Sequence, residues 1–131
     1  MADSPTKRVK RVAAERHFVV ADCESKRGRF TYDAFGFGDL MLLAGPECDE
    51  VPTLIMVQVT SASNRSSRKN RMLQRDVVNL RLWLADGTRG AALITTGHRG
   101  GAWMRWTTMT LDDDGEIVES DEWIEDGKRR A

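Results

Sequence analysis

The apolar residues of this chain fall into two dense runs and several periodic ones. Leu40-Met41-Leu42-Leu43-Ala44 is nearly unbroken, as is Leu54-Ile55-Met56-Val57 with Val59 after it. Runs of this density predict strands buried on both faces, here over residues 39–44 and 53–59. Phe18-Val19-Val20-Ala21 reads as an earlier strand that continues toward Cys23. Ahead of it, Val9, Val12 and Ala13 recur at helical spacing with bases between them. Pro5 after Ser4 suits the first position of that helix, predicted over 5–16. Met72, Val77, Leu80, Leu82, Trp83 and Leu84 predict a second helix from about Ser67 to Ala85, stopped by Asp86-Gly87. Residues 91–96 and 102–111 read as a fourth and a fifth strand around a glycine-rich turn at 97–101. Residues 24–36 read as a polar loop with a short ordered piece at Phe30-Thr31-Tyr32. Trp103 and Trp106 lie three apart on a strand, so they face opposite ways, and one belongs to the core.

The order is helix, three strands, helix, two strands. Two doubly buried strands with helices to cover them make an α/β sandwich. At 131 residues the chain is one domain with a modest core. Residues 1–111 hold that domain and 112–131 are set apart as an acidic C-terminal tail, part of which Ile117, Val118, Trp123 and Ile124 can dock. No apolar run reaches the ~20 residues of a membrane span, and the first residues lack the apolar stretch of a signal peptide. Cys23 and Cys48 are too few for a disulfide framework and fit a reducing cytoplasm.

Charge adds a further constraint. The net charge is zero, but 112–131 carry nine acids and three bases, leaving 17 bases and 11 acids elsewhere. Those bases gather near the start (Lys7, Arg8, Lys10, Arg11, Arg16) and in the middle (Arg65, Arg68, Lys69, Arg71, Arg75, Arg81). A basic body suits an anionic partner such as DNA, and a solvated helix face explains each cluster alone equally well. The tail is expected to fold over the basic surface.

Candidate chemistry sits where the dense strands begin and end. Asp39 opens one, and Gln58-Val59-Thr60 closes the other. If the two strands are neighbours, these residues meet at one edge of the sheet. Plainer roles exist: Asp39 as a strand or turn cap, and Gln58 and Thr60 as a strand end bonded to loop backbone.

The order of elements, the phrase Phe18-Val19-Val20-Ala21 before Ser25-Lys26-Arg27-Gly28, then Gly38-Asp39-Leu40 and the polar triplet, resembles the PD-(D/E)XK nuclease superfamily. The nearest branch is that of the archaeal Holliday-junction-resolvase-like nucleases, over residues 5 to 110. The resemblance implies a restriction-endonuclease-like αβββαβ core with a central mixed sheet flanked by helices. It implies a DNA endonuclease, acting on branched or structured DNA, that works as a homodimer with Mg²⁺ or Mn²⁺. Asp39 takes the family's metal-binding aspartate, Gln58 the usual glutamate, and the Val59 carbonyl a further metal ligand. Thr60 stands where the family has lysine and carries no charge, so Lys69 or Arg65 is the candidate replacement. Lys7, Arg8, Lys26, Arg27, Arg65, Arg68 and Lys69 are the candidate DNA contacts. The family's acid in the first helix has no match in Thr6-Lys7-Arg8, and Glu15 or Glu24 substitutes only if the fold aims it inward. These departures leave a second reading, a catalytically inactive nuclease-fold protein that binds nucleic acid or a protein partner.

Overall fold

A computed structural model describes residues 4–27, 30–48 and 52–126, with backbone alone for 26, 27 and 30–32. Helix α1 (Pro5–Glu15) leads into strands β1 (Phe18–Asp22), β2 (Ser25–Arg27), β3 (Phe30–Tyr32), β4 (Leu40–Ala44) and β5 (Leu54–Ser61). A helical crossover follows: α2 (Arg65–Asn70), a π-helical turn (Arg71–Arg75) and α3 (Val77–Leu84). Strands β6 (Arg89–His98), β7 (Trp103–Leu111) and β8 (Ile117–Glu125) complete the chain. The main sheet has six strands in the order β1-β4-β5-β6-β7-β8, and β2 and β3 form a separate hairpin. Only β5 and β6 run parallel; the other neighbours are antiparallel. A parallel pair needs a long crossover, which the α2–α3 segment supplies.

The dense runs predicted as central strands lie side by side in the sheet interior, and alternation divides their side chains between two cores. On one face Leu40, Leu42, Ile55, Val57, Val59, Ala92 and Ile94 pack under Val9, Val12 and Ala13 of α1. On the other, Met56, Ala91, Leu93 and Met109 pack under Met72, Leu80 and Leu84. The molecule is thus an α/β fold with a mixed six-stranded sheet and a helix layer on each face. No helix among the described residues is long and apolar enough to cross a membrane. Trp106 is 4% exposed in the first core, and Trp103 faces the opposite way and is half-buried, the division the three-residue spacing predicts.

The single helix expected over 67–85 is broken, and packing explains the break. Met72 and Leu80 are both fully buried against the same sheet face. Eight residues along a regular α-helix are about 80° out of phase. The wide turn that ends with Asp76 N–H donating to Arg71 C=O (2.9 Å) absorbs one extra residue and brings the two back to within about 20°.

The acidic segment is a second departure. Residues 117–125 are not a tail but β8, paired with β7 from Trp103↔Glu125 to Leu111↔Ile117. Acids of β8, and Asp126 just after it, reach back to both basic clusters, in Arg8–Asp126 (2.8 Å), Arg16–Glu122 (2.8 Å) and Lys69–Glu119 (2.6 Å), and across to β7 in Arg105–Asp121 (2.6 Å). The opposite charges noted along the chain therefore neutralise one another within the fold. Removing residues 112–131 should strip a nine-residue strand and these ion pairs, lowering the thermal unfolding midpoint by ~5 °C or more. Calorimetry showing an unchanged midpoint would place β8 outside the cooperative unit.

Candidate metal centre

Asp39 precedes β4 and is anchored by its backbone, its N–H donating to Val57 C=O (2.7 Å) and its C=O accepting from Cys23 N–H (2.9 Å). The register of β4 on β5 sets it across from Gln58. Its Oδ2 accepts from Gln58 Nε2 (2.8 Å) and from the Val59 N–H (2.7 Å). Both donors come from the end of β5, so the expected meeting of Asp39 with the triplet occurs. Gln58 is a positioning group here: its amide N–H is turned onto Asp39.

Two further carboxylates join Asp39. Glu24 follows β1, and Asp33 precedes a tight loop that runs to Gly38. One oxygen from each of Glu24, Asp33 and Asp39 lies within 4.8 Å of the others. Loop 33–38 is held firmly. Ala34 and Gly38 exchange two backbone hydrogen bonds (2.9 and 2.8 Å), and Phe37 is fully buried. Arg75 donates to Gly36 C=O (3.1 Å) and Asn79 to Phe35 C=O (3.2 Å), tying the loop to the crossover helices. Gly38 must lack a side chain, because a Cβ would collide with the Met56 thioether.

The carboxylates form one side of a cavity of about 300 Å³, with Thr6 of α1 beside them and Arg68 and Arg71 on the helical side. Arg71 Nε is buried with no hydrogen-bond partner among the described residues. Burial, a hydrogen bond shared with the Asp33 carboxyl, and the charges of Asp33 and Glu24 push the Asp39 carboxyl up to about 8 against the Val59 N–H. Near neutral pH a proton therefore sits among these carboxylates and relieves their repulsion. A hard divalent cation held by the three carboxylates would relieve it as well. All-oxygen donor sets suit Mg²⁺ or Mn²⁺, so the chemistry of the donors fits that group.

The other expected residues are placed as follows. Thr60 is buried just beyond Gln58, and neither lines the cavity. Val59 does line it. Lys69 is turned away, paired with Glu119 of β8, and Arg65 donates to Thr107 Oγ1 (3.0 Å) on β7. Neither approaches the carboxylates, because α2 presents Arg65 and Lys69 to β7 and β8 and Arg68 to the cavity. Arg8 is bound to Asp126 and to Gly101 C=O (2.8 Å), and Lys7 is exposed. The side chains of Lys26 and Arg27 lie outside the described residues. Glu15 is exposed, at the far end of α1 from Thr6. Of Glu15 and Glu24, both exposed, Glu24 is the one that lines the cavity.

Sequence reading missed Asp33 and gave Arg71 no role. A signal for Asp33 exists in Asp33-Ala34-Phe35-Gly36-Phe37-Gly38-Asp39, where two glycines permit a turn tight enough to bring both acids together.

A raised carboxyl pKa costs stability as pH rises. The folded protein keeps its proton between pH 4 and 8 while the unfolded chain loses it, so this contribution is full below pH 4 and gone above pH 8. Asp39→Asn removes that penalty and keeps an oxygen for Gln58 and Val59. In chelator the variant should match the wild type near pH 4 and exceed it by roughly 1–3 kcal/mol at pH 8. Urea unfolding at the two pH values measures the difference, and equal pH slopes would remove the proton from the cluster.

No protein-family model, curated protein or solved structure matches this chain.

Proposed function

We propose that this protein is a metal-dependent DNA endonuclease of PD-(D/E)XK type. The observation that carries the reading is the cluster of Glu24, Asp33 and Asp39 facing Arg68 and Arg71 across one cavity at the end of β4 and β5. The order of elements supports it. Helix α1, antiparallel β1-β4-β5, a helical crossover and parallel β6 follow the αβββαβ scheme, with the β2–β3 hairpin inserted and β7–β8 appended. Thr6 lies in the cavity on the first helix, where that scheme places an acid, and Glu24 supplies the carboxylate from the end of β1 instead.

Each residue then has a chemical task. Glu24, Asp33 and Asp39 would hold one Mg²⁺ or Mn²⁺, which when bound lowers the pKa of a coordinated water and neutralises phosphate charge. Gln58 and the Val59 N–H orient Asp39 and hold its charged form once the proton leaves. Arg68 and Arg71 meet the phosphate oxygens and stabilise charge that develops there, the task a lysine at position 60 would have had. With carboxylates on one wall and arginines on the other, a scissile phosphate would sit between the held cation and Arg68 and Arg71, so a DNA strand enters along the arginine side. A homodimer, as in resolvase-like enzymes, would let two such sites act on a branched substrate.

The second reading, a nuclease-fold protein that binds DNA or a protein without cutting, draws on Thr60, which is uncharged and buried, and on Lys69, which Glu119 occupies.

The two separate in one assay with linear, nicked and four-way-junction DNA and Mn²⁺. The wild type should cut. Asp39→Asn and Asp33→Asn should lose ~10²-fold or more in rate, and Arg71→Ala roughly 10–10²-fold. Salt-sensitive binding of the same DNAs without cleavage or metal dependence would establish the second reading, and equal rates for wild type and Asp39→Asn would sink the assigned site.

A further inference from the structure

The far side of the same sheet end carries a cluster that the carboxylate site does not use. Registers Thr60↔Thr95, Thr95↔Arg105 and Arg105↔Trp123 form one row across β5, β6, β7 and β8, on the sheet face that also carries Asp39 and Gln58. Beside the row is the β6–β7 turn, where Gly97, Arg99, Gly100 and Gly101 all have positive φ (86°, 53°, 80° and 92°). Arg99 holds its guanidinium 4.2 Å from the Trp123 ring centre and 5.3 Å from that of Trp103. Arg105 approaches the Trp123 ring to 5.2 Å, and His98 meets it edge-on at 5.1 Å.

Two features set this cluster apart from ordinary packing. It holds more positive charge than it neutralises: Asp121 takes Arg105 (2.6 Å), while exposed Arg99 has no carboxylate among the described residues. Arg105 Nε and, on the adjoining α2, Arg65 Nε are buried without a hydrogen-bond partner. Among the described residues, the aromatic faces beside these cations are two half-buried indoles, and Arg99 on the glycine-rich turn lies over both, closer to Trp123. A planar guanidinium over an indole occupies the place a stacked nucleobase takes. Gly100 and Gly101 directly after it, and Gly97 two residues before, let exposed Arg99 swing aside, and its fork geometry then suits a phosphate.

We propose that Trp123, with Trp103, Arg99 and Arg105, is a stacking site for an unpaired base of single-stranded DNA. This inference rests on DNA being the substrate, and it narrows the substrate class to DNA with unpaired bases beside the point of cleavage. Four strand spacings of ~4.8 Å separate β4 from β8, so a strand laid across the sheet end spans about 19 Å between the carboxylates and Trp123.

The test measures binding of a labelled twelve-residue thymidine oligonucleotide and an abasic oligonucleotide of equal length, in chelator to prevent cleavage. The thymidine oligonucleotide should bind wild type about tenfold tighter than the abasic one and quench its tryptophan fluorescence. Trp123→Leu should lose that preference, and Arg99→Gly, which suits the positive φ and leaves the core untouched, should weaken binding of both several-fold. Equal affinity of wild type for the two oligonucleotides overturns the proposal, as does wild-type affinity in Arg99→Gly. Manganese-dependent cleavage of four-way-junction DNA by wild type, absent in Asp39→Asn, is read alongside. If it persists while stacking fails, only this inference falls; if wild type neither binds nor cuts any DNA, the endonuclease reading falls first.

Discussion

The carboxylate of Asp39, clamped by two donors from the end of β5, is the constraint around which the rest of the site is arranged. One donor is the Val59 backbone and the other is a side chain that is itself 2% exposed. A carboxylate so held cannot swing away from half-buried Asp33 and exposed Glu24, and because Asp39 itself is buried, water screens its charge from theirs only in part. The fold accepts a local conflict and relieves it with a proton. Conflicts of this sort persist at functional sites, where a ligand resolves what the folded chain leaves tense. The two buried cores supply the stability against which that tension is held, one under α1 and one under the crossover helices.

The distribution of charge follows the same logic. The acids of β8 and its flanks neutralise bases from α1, α2 and β7, which leaves the surface less basic than the body of the sequence suggests. Arg68 and Arg71 form no ion pair among the described residues and face the carboxylate cavity. A basic cluster in a sequence says little about function until partners are assigned. Here the fold sorts six neighbouring cations into those that bind β7, β8 and the turn between them (Arg65, Lys69, Arg81), one that braces loop 33–38 (Arg75) and two that face the cavity (Arg68, Arg71).

Much of the scaffold was legible because strand and helix periodicities are local. The dense runs around Leu42 and Met56 became central strands, and the spacing of Val9, Val12 and Ala13 became the buried face of α1. Asp39 and Gln58 were legible as a pair because adjacent strand ends must meet. Asp33 was not, because its place depends on a loop closed by Gly38 and pinned by Arg75 and Asn79, contacts formed across the chain. Lys69 and Arg68 are adjacent in sequence and indistinguishable there, yet a helix turns neighbours about 100° apart, so one reaches β8 and the other the cavity. The acidic segment was misplaced because exposed edge strands carry charges that read as a tail, and its few apolar residues gave only a partial signal.

The central claim is that the Glu24, Asp33 and Asp39 cluster exchanges a proton for a divalent cation. Calorimetric titration of Mn²⁺ at pH 7, repeated in buffers of different ionisation enthalpy, counts protons released per ion bound. With the Asp39 carboxyl raised to about 8, close to one proton should leave for each ion bound, and Asp39→Asn should show neither the release nor the tight binding. Binding that releases no proton, or that survives unchanged in Asp39→Asn, would contradict the account.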